Sequence, residues 1–226
     1  PSFFMSDIIL PLDPDSNPEV WEKEQKKNAI QFPEYEFPFE SFIGGWFIPH
    51  DVCDQLVDLY WKTTESDIHD GQIGKGRIDR SIKDSRDLSI HENSSNLGFH
   101  TYRNLLQKVT NKYLDRYTQA EPLGKIGFRE GHNIQWYPKG GGYKDFHCER
   151  NFMDPVNLCR HLVYMTYLND ITGDGGETQF YFQKIDVKPQ KGLTLIWPSD
   201  WTHTHRGNPA HDEEKMIITG WIHYAP

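Results

Sequence analysis

The chain has 226 residues and a net charge of −9, with 36% hydrophobic and 14% aromatic residues. This length favours one domain with a sizeable core. An acidic chain without a run of Lys and Arg is repelled by phosphate backbones, which argues against general nucleic-acid binding. No stretch approaches the roughly 18 apolar residues of a membrane-spanning helix, so no membrane segment is expected. Three cysteines without a CxxC pair indicate a reducing interior, and hence a cytoplasmic protein.

The first 40 residues are rich in proline, which fixes φ and lacks an amide donor. The sequence therefore predicts an irregular extension over residues 1–40, with one short helix around residues 18–25. We expect this extension to pack on or near the domain formed by residues 41–226.

Two helices are predicted next along the chain. The first covers residues 49–63, and the second runs from a cap at Ser95 or Asn96 to about Tyr117. Between them, residues 70–92 are rich in Gly, Asp, Arg and Ser, a composition typical of a loop or of loosely paired strands. Its charges are mixed, and we expect most of them to be solvated.

Short apolar runs separated by turn residues begin at Ile126 and predict strands. The predicted strands cover residues 126–137, 161–169, 177–183, 192–197, 203–206 and 215–224. Two helices followed by a run of antiparallel strands predict an α+β fold. The aromatic residues interpreted as core are Trp136, Phe180, Phe182, Trp197 and Trp221, whereas Trp201 is interpreted as an exposed turn residue.

His147 and Glu149 are separated by one residue, so both side chains point to the same side of an extended segment. They could bind one metal ion from a single strand or strand end, and His205 could complete the set from a distant strand. Two histidines and one carboxylate are the ligands of non-haem iron(II) oxygenases, and they leave open positions on the metal. The pattern predicts a catalytic iron site.

Two neighbouring residues compete for these roles. His203 lies two residues before His205 and would face the same way on a strand, while Asp145 lies two residues before His147 and could supply the carboxylate. Cys148 would point away from the metal. Spacing alone leaves both alternatives open.

A series of motifs follows in order from Tyr137 to Trp221. They are YPKGGGYKDFH ending at His147, YLN at 167–169, GGETQF at 175–180, VKPQKG at 187–192, HRGNP at 205–209, and Lys215 ten residues after His205, with Gly220–Trp221 beyond it. This order resembles the prolyl 4-hydroxylase-like family of 2-oxoglutarate/Fe(II)-dependent oxygenases. The resemblance covers about residues 130–226, and the number and order of the motifs make it specific.

The resemblance implies a double-stranded β-helix, or jelly-roll, barrel over about residues 125–226, with supporting N-terminal helices. It favours His147, Glu149 and His205 as the catalytic metal ligands. The family usually has Asp at the carboxylate position, and Glu149 is one methylene longer. Family halogenases have a small residue at this position, so the retained carboxylate argues against halogenation.

The co-substrate site is implied by the same resemblance. Lys215 would pair with the distal carboxylate of 2-oxoglutarate, and Tyr137, Thr178 and Tyr167 stand at positions that contact this molecule. The implied cofactors are Fe(II), 2-oxoglutarate as co-substrate and O₂, with ascorbate as a candidate reductant.

The implied reaction is hydroxylation of an unactivated C–H bond, in the first place on a prolyl residue in a peptide or protein. In the family the loop before the barrel covers the substrate, and here that loop is residues 70–92. One alternative is the same chemistry on a free amino acid or other small molecule, and another is a non-catalytic jelly-roll binding protein. A zinc hydrolase could also use two histidines and a glutamate, but it would explain neither Lys215 nor GGETQF.

Overall fold

The structure is a computed structural model that describes residues 32–225, except 75, 92–93, 122–124 and 151–154. Residues 1–31 of the predicted extension, including its short helix, and Lys75 of the predicted loop lie outside the described residues. At the described end of the extension, Phe32 is buried and Glu34 forms an isolated bridge with Trp46. Residues 32–34 therefore pack against the domain.

The described helices are α1 (His50–Lys62), α2 (Leu97–Arg116) and α3 (Pro155–Leu158). The first two confirm the helices predicted from the sequence, within one residue at each end. Asn96 caps α2, because its Oδ1 accepts a hydrogen bond from the amide of Phe99 at 3.0 Å. The single turn of α3 was not indicated by the sequence pattern.

The described strands pair only in antiparallel fashion, and most of them are short. They are β1 (Gly44–Phe47), β2 (Ile68–Asp70), β3 (Gln72–Ile73), β4 (Arg77–Ile78), β5 (Arg86–Ile90), β6 (Lys125–Gly127), β7 (His132–Tyr137), β8 (Tyr143–His147), β9 (Arg160–Tyr167), β10 (Thr178–Phe180), β11 (Ile185–Val187), β12 (Leu193–Pro198), β13 (His205–Gly207) and β14 (Lys215–Ala225). Helices followed by antiparallel strands confirm the predicted α+β class.

Two sheets form the core of the fold. The large sheet has the order β1-β12-β9-β14-β7-β5-β2, with β6 also paired to β14, and the small sheet has the order β11-β10-β13-β8. A separate hairpin joins β3 and β4. Hydrogen bonding among the described strands gives two sheets rather than one closed ring, so the predicted barrel is a two-sheet jelly roll.

The large sheet is buried on both faces. Val163 of β9 points into the core between the two sheets, where Phe180 of the small sheet packs edge-to-face on Trp197 of the large sheet, with ring centroids 5.3 Å apart. Tyr164, the next residue of β9, points the other way, into the core that α1 and α2 form with the large sheet. The two helices thus support the large sheet from behind, as predicted.

Several strand boundaries differ from the predicted ones. The predicted strand 126–137 is interrupted, and β6 and β7 pair with different stretches of the long strand β14. The predicted strand 177–183 ends at Phe180, because the chain turns at Lys184, which has a φ of 56°. The predicted strand 203–206 begins only at His205, because Trp201–His203 forms a 3₁₀ turn. Neither β8 nor β11 was among the predicted strands.

The aromatic side chains only partly follow the predicted division. Phe180 and Trp197 are buried, but Phe182 is 53% exposed, so its interpretation as a core residue is wrong. Trp136 and Trp221 are half-buried. Trp201 is 65% exposed, as predicted.

Strand β8 lies at the edge of the small sheet, and a loop covers its outer side. The amide of Asp84 donates to the carbonyl of Gly142 (2.9 Å), and the amide of Lys144 donates to the carbonyl of Ile82 (2.7 Å). The intervening Lys83 is buried and is an exception to the expectation that this loop's charges are mostly solvated, since the loop's other described charged residues are exposed or half-buried.

Lys83 forms an ion pair with Asp87, with Nζ and Oδ2 2.5 Å apart. Asp87 also accepts a hydrogen bond from Ser85 Oγ at 2.7 Å. These contacts fasten the covering loop to the start of β5.

Among the described residues, no helix is both long and apolar enough to span a membrane. Cys53, Cys148 and Cys159 are free thiols.

Candidate active site

The two candidate histidine ligands come from neighbouring strands of the small sheet. His147 ends β8, His205 begins β13, and the two residues are direct partners in the antiparallel register. Their ring centroids are 4.5 Å apart. Glu149 lies two residues beyond the end of β8, so it approaches from a strand end.

The three side chains converge through single atoms. Oε1 of Glu149 lies 3.4 Å from Nε2 of His147 and 3.5 Å from Nε2 of His205. One ligand atom from each residue falls within 4.8 Å of the others. The structure therefore brings together all three residues that the sequence predicted as metal ligands.

Backbone carbonyls fix the orientation of both imidazole rings. Nδ1 of His147 lies 3.0 Å from the carbonyl oxygen of Asp145, and Nδ1 of His205 lies 2.9 Å from that of His203. Since a carbonyl can only accept, Nδ1 carries the proton in each ring and donates it. Nε2 keeps its lone pair and faces Glu149, which is the arrangement of a metal-ligating histidine.

Charge and burial favour the deprotonated forms of two of these groups. Burial raises the pKa of Glu149, but hydrogen bonds and positive charge from His147 and His205, in the protonated form that each can take without a metal ion, outweigh it, so this pKa lies well below its usual range. Burial lowers the pKa of His205, and the nearby His147 lowers it further. A carboxylate and a neutral imidazole are the forms that bind a metal ion.

The two alternative metal ligands, His203 and Asp145, do not join the cluster. His203 lies in the 3₁₀ turn rather than on the strand, and its Nε2 lies 3.0 Å from the carbonyl oxygen of Ser41. The expectation that it faces the same way as His205 is therefore wrong. Asp145 is exposed, and only its backbone carbonyl contacts His147. Cys148 Sγ points to the carbonyl of Arg150 at 3.4 Å, away from the cluster.

The cluster fits an iron(II) ion by the chemistry of its donors. Two neutral imidazole nitrogens and one carboxylate oxygen form the set that non-haem iron oxygenases use. Their Nε2 and Oε1 atoms converge on one another, and their Nδ1 atoms are held by the backbone. These three residues could hold the ion and leave its other positions accessible.

Lys215 is buried, with 3% of its surface exposed, at the start of β14. Its Nζ donates to the carbonyls of Gly176 (3.1 Å) and Asn208 (3.2 Å), and among the described residues no carboxylate lies within 4 Å. Burial lowers the pKa of Lys215 to about 8, although the charge of Glu177 counteracts this effect. A buried ammonium with only carbonyl partners fits a bound carboxylate.

The other residues predicted at the co-substrate site gather around Lys215. Tyr137 is its register partner on β7, and the ring centroid of Tyr137 lies 5.0 Å from Nζ. Thr178 is the register partner of Gly207. Nζ of Lys215 lies beside Gly207, because a Cβ atom added there would be 3.5 Å from Nζ. The hydroxyl of Tyr167 lies 2.6 Å from Thr178 Oγ1.

The tyrosine hydroxyls already have partners within the protein. The hydroxyl of Tyr137 donates to Oε1 of Gln135 at 2.7 Å, and the Gln135 side chain donates to Asp87 at 3.3 Å. The hydroxyl of Tyr167 also lies 3.1 Å from the carbonyl oxygen of Val187. These contacts hold both tyrosine rings in place near Lys215.

Some residues around the cluster were not found from the sequence. The ring of Tyr143 stacks on His147, with centroids 3.8 Å apart and 15° between the planes. Residues four apart on a regular strand point the same way but lie roughly 13 Å from each other, so the spacing alone does not indicate this contact. Arg160 and Glu130 also lie close to Glu149, but no motif or spacing marks them.

Residues 132–223 match the model of the 2OG-Fe(II) oxygenase superfamily. This range contains His147, Glu149, His205 and Lys215. No curated protein matches the chain.

Solved structures of prolyl hydroxylases share the fold. The viral collagen prolyl hydroxylase of Paramecium Bursaria Chlorella virus-1, in its 2OG complex, is 20% identical with a TM-score of 0.62, covering 82% of this chain and 98% of that chain. A Pseudomonas putida prolyl-4-hydroxylase is 16% identical with a TM-score of 0.62, covering 83% and 95%. A Trichoplax adhaerens prolyl hydroxylase, in complex with a peptide fragment of the hypoxia inducible factor oxygen degradation domain, is 18% identical with a TM-score of 0.63, covering 94% and 96%.

The superfamily match places the predicted ligands within one oxygenase domain, and the similar structures share its two-sheet fold. Fe(II), 2-oxoglutarate and O₂ are the cofactor and co-substrates of this superfamily, and the donors around His147 and Lys215 fit the first two. Residues 132–223 thus match the 2OG-Fe(II) oxygenase superfamily, and the fold around them is that of the prolyl hydroxylases; these findings identify a 2-oxoglutarate/Fe(II)-dependent dioxygenase.

Proposed function

We propose that this dioxygenase hydroxylates a prolyl residue in a peptide or protein. The observation that carries the proposal is the convergence of His147, Glu149 and His205 at the paired strands β8 and β13, with the buried Lys215 beside Gly207 of β13. The choice of a prolyl substrate is supported by the three similar structures, which are prolyl hydroxylases, one of them bound to a peptide.

In this proposal His147, Glu149 and His205 hold the iron. When bound, iron supplies the chemistry of the superfamily, in which oxidative decarboxylation of 2-oxoglutarate is coupled to hydroxylation of a C–H bond. The protein contributes binding and orientation: the carbonyls of Asp145 and His203 hold a proton on each Nδ1, so that Nε2 of the neutral ring is the atom that would bind the ion.

Lys215 is proposed to bind the distal carboxylate of 2-oxoglutarate. Its ammonium is surrounded by the carbonyls of Gly176 and Asn208, and a carboxylate would supply the opposite charge that these neutral groups do not. Tyr137, whose ring centroid lies 5.0 Å from Nζ, and the nearby Tyr167 and Thr178 are buried, so this position is shielded from bulk water. Fixing the co-substrate at its far end orients its reactive end toward the iron ligands.

A direct test is incubation of proline-containing peptides with the protein, Fe(II), ascorbate and 2-oxoglutarate, followed by mass spectrometry of the peptides and a succinate assay. We expect peptide-dependent succinate and the gain of one oxygen atom at a proline. The matched control is the same peptide with that proline replaced by alanine, which should gain no oxygen.

The same assay separates the alternatives. Oxygen incorporated into free amino acids or other metabolites, with none in peptides, would favour the small-molecule oxygenase. Retained binding of iron and 2-oxoglutarate without turnover of any substrate tested would favour the binding protein.

A further inference from the structure

The two carboxylate oxygens of Glu149 have different surroundings. Oε1 faces Nε2 of both candidate histidine ligands. Oε2 points away from them and accepts a hydrogen bond from the indole Nε1 of Trp221 at 3.0 Å. Nη1 of Arg160 donates to the same oxygen at 3.4 Å. One oxygen is therefore free for a metal ion, and the other is held by the protein.

The backbone of Glu149 is held by hydrogen bonds to Ser199 and Arg160 rather than by strand pairing. Strand β8 ends at His147, so no ladder hydrogen bond places Glu149. Instead its amide donates to the carbonyl of Ser199 at 3.1 Å, and Nη1 of Arg160 donates to its carbonyl at 2.9 Å. Arg160 thus fixes both the backbone and the side chain of Glu149.

Arg160 is itself firmly placed. Its Nε and Nη2 donate to the two oxygens of Glu130 at 2.7 and 2.6 Å, a bidentate pairing that fixes the plane of the guanidinium group. This plane lies over Trp221, with the guanidinium carbon 3.5 Å from the ring centroid. Glu130 also pairs with the fully buried His223, whose Nε2 lies 2.7 Å from Oε1.

The length of the side chain at position 149 matters for these contacts. An aspartate would withdraw the carboxylate by about one carbon–carbon bond, roughly 1.5 Å. A hydrogen bond of 3.0 Å to Trp221 could not survive that shift if the other oxygen still faced the histidines. The contacts of Oε2 therefore depend on the glutamate that stands here.

We propose that Trp221 and Arg160, with Glu130 behind them, are positioning residues that hold Glu149 so that only Oε1 is offered to the metal. This inference rests on the proposed metal role of Glu149 and deepens it. A carboxylate bound through one oxygen occupies one metal position, which leaves more positions for 2-oxoglutarate and O₂ than a carboxylate bound through both. Residues behind the metal ligands typically change metal affinity roughly 10–100-fold when they are replaced.

The test measures Mn(II) affinity by calorimetry, without 2-oxoglutarate or turnover. Trp221→Phe keeps an aromatic ring but removes the indole donor together with part of the indole, and we expect Mn(II) to bind about tenfold more weakly or worse. The matched control is Trp136→Phe, because Trp136 Nε1 donates to Glu214 at 3.1 Å away from the candidate metal ligands. Trp136→Phe should bind Mn(II) as tightly as the parent protein.

Arg160→Lys is a second variant, which keeps the charge but loses the bidentate pairing with Glu130. We expect it to weaken Mn(II) binding as well. Should Arg160→Lys fail to fold, Trp221→Phe alone still decides the question.

A double-mutant cycle separates positioning from a general structural effect. In a Glu149→Asp background the shorter carboxylate does not reach Trp221, so adding Trp221→Phe should cost little further Mn(II) affinity. Full additivity of the two losses would overturn the proposal, as would parental Mn(II) affinity in both Trp221→Phe and Arg160→Lys. If the parent protein does not bind Mn(II), or if Glu149→Ala binds it equally well, the proposed metal role of Glu149 is wrong. The inference about Trp221 and Arg160 is then wrong as well.

Discussion

His205 stands directly opposite His147 in the antiparallel pair of β13 and β8, although the two residues are far apart in the sequence. The distance between their rings is thus set by strand pairing. A slip of one residue in this register would turn one imidazole to the other face of the sheet. The metal site accordingly depends on the pairing of one short edge strand.

Replacement of the two neighbouring histidines should have different effects on Mn(II) affinity. His205→Ala removes a candidate ligand, so its loss of Mn(II) affinity should exceed the roughly 10–100-fold that is typical for residues behind the ligands. His203→Ala keeps the backbone carbonyl that orients His205, and its Mn(II) affinity should be unchanged. It should still lower the free energy of unfolding by about 1–3 kcal/mol, because the carbonyl of Ser41 loses its partner. Calorimetry and urea unfolding of both variants give the answer, and lost Mn(II) binding in a folded His203→Ala protein would contradict the assignment.

Replacement of Lys215 should weaken the binding of 2-oxoglutarate and leave the affinity for Mn(II) unchanged. A charge-assisted contact with a carboxylate is worth about 1.5–3 kcal/mol, and each 1.4 kcal/mol is about tenfold in affinity. Lys215→Ala should therefore raise the 2-oxoglutarate requirement by roughly ten- to a hundredfold, with Mn(II) affinity unchanged. Lys215→Arg should do less damage, because the charge remains. A 2-oxoglutarate titration of the three proteins tests this, and an unchanged requirement in Lys215→Ala would remove the lysine from the co-substrate site.

The affinity for 2-oxoglutarate should fall at alkaline pH. Burial lowers the pKa of Lys215 to about 8, so the free protein holds the ammonium below this pH and loses it above. Binding of the carboxylate favours the ammonium, and above pH 8 the protein must take up a proton to bind. The affinity should then fall by up to about tenfold per pH unit. This dependence is measured by titrating Co(II)-loaded protein with 2-oxoglutarate, without O₂, from pH 7 to 9.5. Lys215→Arg is the control, because arginine keeps its charge over this range. If affinity depends on pH in the same way in both proteins, Lys215 is not the source of the dependence.

Tyr167→Phe should mainly affect stability. The hydroxyl of Tyr167 is already bound to Thr178 and to the carbonyl of Val187. Its removal leaves both buried groups short of a partner, at a cost of about 1–3 kcal/mol in the free energy of unfolding. The 2-oxoglutarate requirement should change less than in Lys215→Ala. Urea unfolding and the same titration test this, and a large shift in the requirement at unchanged stability would indicate a direct contact with the co-substrate.

The sequence predicted the residues of the site better than their surroundings. His147, Glu149 and His205 were found because their chemistry is specific and family motifs flank them. His203 looked equivalent to His205 because spacing alone does not reveal a 3₁₀ turn before the strand. Tertiary contacts there decide the orientation, through the carbonyl of Ser41.

Arg160 and Glu130, which lie behind Glu149, could not be predicted from the sequence for a different reason. Arg160 and Glu130 act on Glu149 through pairings between segments that are distant in the sequence. Charged residues are usually solvated, so a buried pair carries no local signal. The same holds for Lys83, whose burial beside the half-buried Asp87 is an exception among the mostly solvated charges expected at residues 70–92.

The covering loop gives the edge strand β8 its second neighbour. Two backbone hydrogen bonds join residues 82–84 to β8, and the pair of Lys83 and Asp87 ties the loop down. When this loop opens, the strand that carries His147 loses one of its two flanking partners. Ion binding and loop closure are then linked equilibria, and each favours the other. A bound ion should therefore slow amide hydrogen exchange at Asp84 and Lys144, which donate the two bonds, although neither residue touches the ion site through its side chain.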